Sequence, residues 1–396
     1  MHSPCQLVAL GIINALSSEH SQIAEGLLEG DSAGISLCDD LPNGPVLTAS
    51  VSDLQLLPVP DEFRRYNSRL SQLLIAAYQQ ISAEVEAIKG EMDAARIGVV
   101  LGTSTSGIAS GETAIAHYAA TGKFPADFFF SQQEMGTPAE FLAEYAGFGG
   151  PAITVSTACS SSAKAFGVAR DLITANVCDA IIVGGADSLC KLTLAGFSSL
   201  EATTASQCNP MSKNRDGISI GEGAALFLMM AKPKGVQLLG IGESSDAFHM
   251  THPDPDGHSA EIAIRTALDQ ADRHPDQIGY INLHGTATVQ NDAMEAGVVS
   301  RVFGSRVPCS STKPLTGHTL GACGAIEIGF CWLLLTGGAI DRLPPHCWDG
   351  CPDETLPELQ FVDQSKRYVL PDPPAMISNS FAFGGSNCAV VIGYHE

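Results

Sequence analysis

"TVSTACSSSAKAFGVARDL", residues 154–172, runs from a β-branched stretch through a cluster of small residues into a helical pattern. The same strand, tight turn and helix recur at "VPCSSTKPLTGHTLGACGAIEIGF" (307–330). Two more pairs keep this order. "VVLGTSTSG" (99–107) matches "INLHGTATV" (281–289), an apolar strand entering a Gly/Thr-rich loop. "DAIIVGGADS" (179–188) matches "AMISNSFAFGGSN" (375–387), a strand entering a di-glycine loop. Similar units repeated in one order predict two α/β halves, placed at 1–245 and 246–396. Ligands of open α/β sheets bind beyond the carboxyl ends of strands. The loops bearing Cys159, His284, His318 and Gly384–Gly385 are therefore expected to meet.

The rest of the chain fits this reading. Strand-like runs at 97–101, 152–156, 179–183, 278–283, 306–310 and 375–379 alternate with helical patterns. The helices are expected at 68–88, 137–146, 160–175, 258–272, 291–302 and 321–336. With 396 residues, 45% hydrophobic and 16% charged, the chain has the means for a well-filled core. Basic side chains number 21 against 43 acidic ones, a formal charge of −22. That balance argues against nucleic acid and anionic membrane surfaces, both of which bind basic patches. An acidic partner would need a local cluster of Lys and Arg. Of the 12 cysteines, only Cys347 and Cys351 stand close together, beside His346. A metal centre needs about four such ligands, so no metal site is expected. Scattered thiols point to a reducing, cytoplasmic compartment. No apolar run reaches the ~20 residues of a membrane span; "FCWLLLTGGAI" (330–340) reads as a buried helix end. The N-terminal apolar run lacks a preceding basic region and reads as a strand, not a signal peptide.

Cys159 alone is ambiguous, because free cysteine is among the most buried residue types. At a helix N-terminus, however, the dipole and free N–H groups favour a thiolate. His284 directly follows a strand and His318 sits between glycines, each in one of the matching loops. A sulfur nucleophile with two imidazoles points to thioester chemistry at a carbonyl.

At these residues the chain resembles a β-ketoacyl-acyl-carrier-protein synthase, a condensing enzyme of the thiolase superfamily. The resemblance rests on "STACSSS", "NLHGTATVQND", "STKPLTGHTLGACGAIE" and "SNSFAFGGSN", with "DAIIVGGADS" and "SKNRDGISIGEGAAL" in the same order. It spans nearly the whole chain. It implies an α/β thiolase-like fold of two duplicated halves in five αβαβα layers. It also implies a Cys-His-His elongating enzyme: Cys159 accepts the acyl group, and His284 and His318 hydrogen-bond the malonyl thioester carbonyl. Lys313 and Glu327 resemble the supporting charge pair, and the N–H groups of Cys159 and Phe383 the oxyanion hole. Thr286 and Thr288 are expected on the phosphopantetheine arm. Phe383, Phe381, Thr105 and Phe197 are expected to gate or line the acyl pocket. Arg64, Arg65 and Arg69 are candidates for docking an acidic acyl carrier protein. No bound cofactor is implied, since the substrates ride on the carrier's phosphopantetheine. A homodimer is the default, with a homologous synthase-like partner as the alternative.

Other residues carry two readings. Asp292 and Glu295 either shape the site or complement the first turn of a helix. Arg215, Asp216 and Glu222 read as a buried ion network. The chain also departs from the family pattern. Val289 and Gln290 stand where Pro and a small residue are familiar, Ala382 replaces a glycine, and the aromatics usual near "PMSKNRDGIS" are missing. These differences point to a specialised polyketide, polyene or lipid paralogue. A non-catalytic chain-length-factor-like subunit would lack the nucleophile, and a thiolase would place a second cysteine in a CxG motif, which Cys388 is not.

Overall fold

The computed structural model describes residues 5–39, 41, 44–337 and 341–395. Its strands are β1 Cys5–Ile13, β2 Ile35–Cys38, β3 Val46–Ala49, β4 Ile97–Gly102, β5 Ala152–Val155, β6 Ala180–Asp187 and β7 Ile220–Gly221. They continue with β8 Gly223–Met230, β9 Gln237–Ser245, β10 Tyr280–Asn282, β11 Cys309–Ser310, β12 Ala375–Ala382 and β13 Ser386–Gly393. Ten of these form one sheet in the order β11-β10-β12-β13-β9-β1-β8-β6-β4-β5, and β2-β3-β7 form a small second sheet.

The large sheet is one pattern used twice. In β5-β4-β6-β8-β1 the pairings run parallel, parallel, antiparallel, antiparallel. In β11-β10-β12-β13-β9 they run the same way. The two copies are stitched where Cys5 faces Leu238 and Gln6 faces Gln237, with the Leu7 N–H donating to the Val236 carbonyl. Each motif pair quoted above falls on equivalent strands: β4 with β10, β5 with β11, β6 with β12. Since β9 takes the outer position of the second copy, we propose that the halves divide at 231–236. The expected boundary at 245 lies at the far end of β9.

Side-chain alternation along the strands creates three cores, which define the layers. Val100, Phe227, Met376 and Val390 face a central core, with Phe166 of helix Ser161–Thr174 and Phe330 of helix Cys323–Thr336. Their neighbours Val99 and Leu101 face helix Arg69–Lys89 on one outside. Ile377 and Val391 face helices His258–Ala271 and Val289–Phe303 on the other. The result is the five-layered thiolase-like αβαβα arrangement. The central helices touch so closely that a Cβ on Gly324 would come within 2.7 Å of the Ala163 Cβ. Helix Cys323–Thr336 is apolar almost all round, as befits a helix enclosed between the two halves of the large sheet.

Several elements differ from expectation. The run 306–310 contributes only the two-residue β11, because Pro308 lacks an N–H for the ladder. Strands β8, β9 and β13 and helices Ile108–Thr121 and Lys191–Ser199 carried no clear periodic signal; β8 is buried on both faces and so shows no alternation. Residues 338–340 of the apolar run lie outside the described residues.

Candidate active site

Cys159 sits in the turn between β5 and helix Ser161–Thr174. Ala158 before it adopts φ +51°, a left-handed conformation that costs a Cβ-bearing residue energy unless its surroundings enforce it. The serines enforce it. Ser161 Oγ accepts the Thr157 N–H and donates to the Ala158 carbonyl, and Ser160 Oγ donates to the Thr157 carbonyl. Ser162 Oγ accepts the Ala325 N–H at 2.9 Å, tying the turn to the second half.

The His284 loop is held by the helix that follows it. Glu295, fully buried, accepts the N–H groups of His284 (2.8 Å) and Gly285 (2.7 Å) on its two oxygens. Asp292 accepts from Ala287 and Met211. Both carboxylates therefore set the loop, and the first-turn reading alone does not account for them. His318 is fixed through its backbone, donating to Ser219 O and accepting from Gly221 N. Its Nε2 lies 3.1 Å from Cys159 Sγ, and the His284 ring stands edge-on to it at 5.3 Å. The Phe383 and Cys159 N–H groups lie against the same sulfur. Lys313 Nζ donates to Glu327 Oε1 at 2.5 Å, with both side chains almost wholly buried.

Burial sets the charges. It pushes the Cys159 thiol up to about 11, against the opposing pull of the Phe383 N–H and the Lys313 ammonium. The thiolate expected at a helix N-terminus is thus a resting thiol. Desolvation, with the Lys313 charge next, holds both imidazoles well below the usual histidine range. A base with a lowered pKa keeps its neutral form to lower pH. Nitrogen-15 spectra of His284 and His318 should therefore stay those of neutral rings at pH 5.5, about one unit below an ordinary histidine; protonated rings there would contradict this reading. Around Lys313–Glu327, burial opposes both charges. The contact prevails for Lys313, whose pKa rises, while burial pushes Glu327 up, so Glu327 is the partner that titrates as pH falls from neutrality.

These groups open onto a cleft of about 290 Å³. It is lined by Cys159, His284, His318, Thr286, Thr288, Phe197, Phe381 and Phe383, all singled out from sequence. Phe197 and Phe383 pack at 5.4 Å, and Thr286 and Thr288 join hydroxyls at 3.0 Å. Leu200, Glu201, Thr251 and His252 also line it and had no sequence signal, since they come from aperiodic loops. Cys159, His284 and His318 offer three donor atoms within 4.8 Å. A metal there would have to displace the His318–Cys159 hydrogen bond.

The remaining residues singled out from sequence have surroundings of their own. Thr105 is buried outside the cleft lining, and its hydroxyl donates to Asp187 at 2.7 Å. Arg69 is engaged within the chain: it grips buried Glu222 through two nitrogens, together with Asp53 and the Val51 carbonyl. Arg65 pairs with Glu144 and Tyr66, while Arg64 is exposed. Arg215, Asp216 and Glu222 form no single network. Arg215 binds Asp353, Glu222 binds Arg69, and Asp216 lines the cleft. His346 accepts from Ser311 N and donates to Pro210 O, which leaves no ring nitrogen for a metal. Cys388 is buried on β13, away from the cleft lining.

Among the described residues no helix is long and apolar enough to cross a membrane. The family model for the β-ketoacyl synthase N-terminal domain matches residues 57–234, and that for its C-terminal domain matches 236–346. The chain is 34% identical over 324 residues to 3-oxoacyl-[acyl-carrier-protein] synthase 2 of Vibrio harveyi, covering 76% of each. It is 36% identical over 265 residues to the tetracenomycin polyketide synthase ketoacyl synthase alpha subunit of Streptomyces glaucescens, covering 62% of this chain and 61% of that one. A chain from the complex of the ketosynthase ApeO with its chain length factor ApeC, from Xenorhabdus doucetiae, superimposes with TM-score 0.94. Identity there is 42%, over 99% of this chain and 98% of that one. A chain of the ishigamide ketosynthase/chain length factor gives TM-score 0.87 at 25% identity over 100% of both chains. With a five-layered duplicated fold and a cysteine facing two neutral histidines, this chain belongs to the β-ketoacyl synthase family of condensing enzymes.

Proposed function

We propose that this chain joins an acyl group held on Cys159 to the carbanion released from malonyl-acyl-carrier-protein, giving a β-ketoacyl-acyl-carrier-protein for fatty acid, polyene or polyketide-type biosynthesis. The observation that carries the reading is the 3.1 Å contact of His318 Nε2 with Cys159 Sγ at the base of a cleft shared with His284.

The chemistry follows from the charges. Because the thiol pKa is raised and the imidazole pKa lowered, the proton leaves sulfur only as sulfur bonds the acyl carbon, and it ends on the departing carrier sulfur. The carrier's thiol departs, and the N–H groups of Cys159 and Phe383 receive the developing oxyanion. Malonyl carrier protein then enters, with Thr286 and Thr288 beside its pantetheine arm. Neutral His284 and His318 donate Nε2–H to its thioester carbonyl, stabilising the enolate as the carboxylate leaves as CO₂. The enolate carbon attacks the Cys159 thioester, the new C–C bond forms, and sulfur leaves. Burial, with the Lys313 charge beside it, keeps both rings neutral, and hence in the form that can donate without carrying charge.

Pairing with a homologous chain is supported by β5. It ends the ten-stranded sheet with Ile153 and Val155 half-buried, an apolar strand edge of the kind that recruits another strand. A second copy of this chain is the simplest occupant. A chain-length-factor partner is favoured by the ApeO–ApeC and ishigamide relatives, each a ketosynthase with its chain length factor. Within a cytoplasmic setting, the acyl carrier protein is the other partner, with Arg64 as the remaining candidate from the basic cluster.

The test is to incubate the protein with acyl carrier protein, find the acyl mass on Cys159, and then add malonyl carrier protein. Condensed product with CO₂ release is expected. No adduct points to a non-catalytic partner subunit, and an adduct without CO₂ release to plain acyl transfer. Native mass of the same sample separates a pair of like chains from a single chain awaiting a different one.

A further inference from the structure

Asp187 ends β6, carries no exposure, and receives donors from both halves of the molecule. From the loop after β4 come the Thr103 hydroxyl (2.6 Å), the Ser104 N–H (3.0 Å), and the Thr105 N–H (2.8 Å) and hydroxyl (2.7 Å). From the second half comes the Ala322 N–H at 3.2 Å. Ala322 stands between His318 and Cys323, where the short turn Leu320–Ala322 leads into helix Cys323–Thr336.

That helix begins in the molecular interior, where water cannot satisfy its first N–H groups. Two residues of the other half contribute instead: Asp187 shares the Ala322 N–H with the Thr319 carbonyl (3.1 Å), and Ser162 takes the Ala325 N–H. The turn has no room to settle elsewhere. Leu320 is held at φ +52°, and a Cβ on Gly321 would meet Ser104 N at 2.6 Å. The same helix carries Glu327, the partner of Lys313, and Cys323, whose thiol donates to the Cys159 carbonyl at 3.2 Å.

We propose that Asp187 is a positioning residue for the condensation: it caps the Cys323–Thr336 helix from the opposite half and fixes the His318 turn against Cys159. It touches no substrate and acts through Ala322. The inference rests on the reading of Cys159 as the acyl acceptor. Five donors hold Asp187 where a fixed negative charge also bears on the Cys159 thiol. The other ionisable groups around that sulfur are Lys313, His318, His284 and Cys323.

Asp187→Asn keeps the shape, removes the charge and turns an amide toward N–H donors. The expected result is a drop of about 10–100-fold in kcat for condensation with KM for both carrier substrates within about twofold. Removing a negative charge also eases ionisation of the thiol, so the pH profile of Cys159 alkylation by iodoacetamide should move down by about 0.5–1 unit. Asp187→Glu, which restores the charge, should return that profile toward wild type. A merely structural role would lower the folded fraction, leaving kcat per folded molecule and the alkylation profile unmoved, and that result overturns the proposal. If Asp187→Asn does not fold, Thr103→Val and Thr105→Val decide: each should lower kcat several-fold with KM unchanged, and unchanged kcat in both overturns it. Wild-type protein that forms no acyl adduct would instead defeat the proposed function, while the alkylation profiles would still report on Asp187.

Discussion

Cys159→Ala is expected to show no acyl mass after incubation with acyl carrier protein, and to lose condensation by about 10⁴–10⁶-fold. The sulfur is the group placed to bond the acyl carbon, with His318 Nε2 at 3.1 Å and the Phe383 N–H beside it. The other half of the reaction does not need it. Decarboxylation of malonyl carrier protein calls on the imidazoles of His284 and His318, whose places are fixed by backbone bonds to Glu295, Ser219 and Gly221. The alanine variant should therefore still release CO₂ from malonyl carrier protein. An acyl adduct persisting in this variant would move the acceptor role away from Cys159. The buried thiols Cys208 and Cys323 serve as internal controls, because neither is placed to receive the acyl group.

Glu327→Ala should be the most destabilising single change in the site. It leaves the Lys313 ammonium buried without its carboxylate, a loss of about 3–5 kcal/mol in urea unfolding. Lys313 can escape part of that cost by shedding its proton, but the charge that adds to burial in holding His284 and His318 neutral is then gone. Catalysis and stability should fall together in this variant. Pairing Lys313→Met with Glu327→Leu separates them, since apolar residues of similar volume often replace a buried ion pair without loss. The double variant should regain most of the stability and remain poor at decarboxylation. Full activity in that protein would reduce the pair to a packing device.

The linear sequence carried much of this arrangement for a physical reason. Parallel strands buried on both faces read as apolar runs, and the loops after them must be small-residue turns. The duplicated order of those units was therefore visible at β4 and β10, β5 and β11, and β6 and β12. The cysteine and both histidines lie on these turns, so their meeting followed from the duplication. Helix Thr137–Ala146 was placed to the residue, because Pro138 opens it and Gly147 closes it at φ +72°.

Long-range partners were another matter. Arg69 looked like part of a basic surface beside Arg64 and Arg65, yet its guanidinium reaches buried Glu222, 153 residues away. Thr105 looked like a pocket residue and instead serves Asp187. The cleft's Glu201, Thr251 and His252 come from loops whose conformation no local pattern encodes.

By itself, then, the sequence determined the duplicated α/β frame, the three reacting side chains and the family to which they belong. Strand and turn patterns are local, and three residues at the ends of equivalent strands have only one place to converge. The tertiary structure decided the chemistry of their charges. Enclosure between the halves of the fold turned an expected thiolate into a thiol and two titratable histidines into neutral donors. It also decided which polar residues serve substrate and which, like Asp187, Glu222 and Glu295, hold the backbone. Desolvation and long-range hydrogen bonds depend on what packs across the fold, and neighbouring residues in the chain do not specify it.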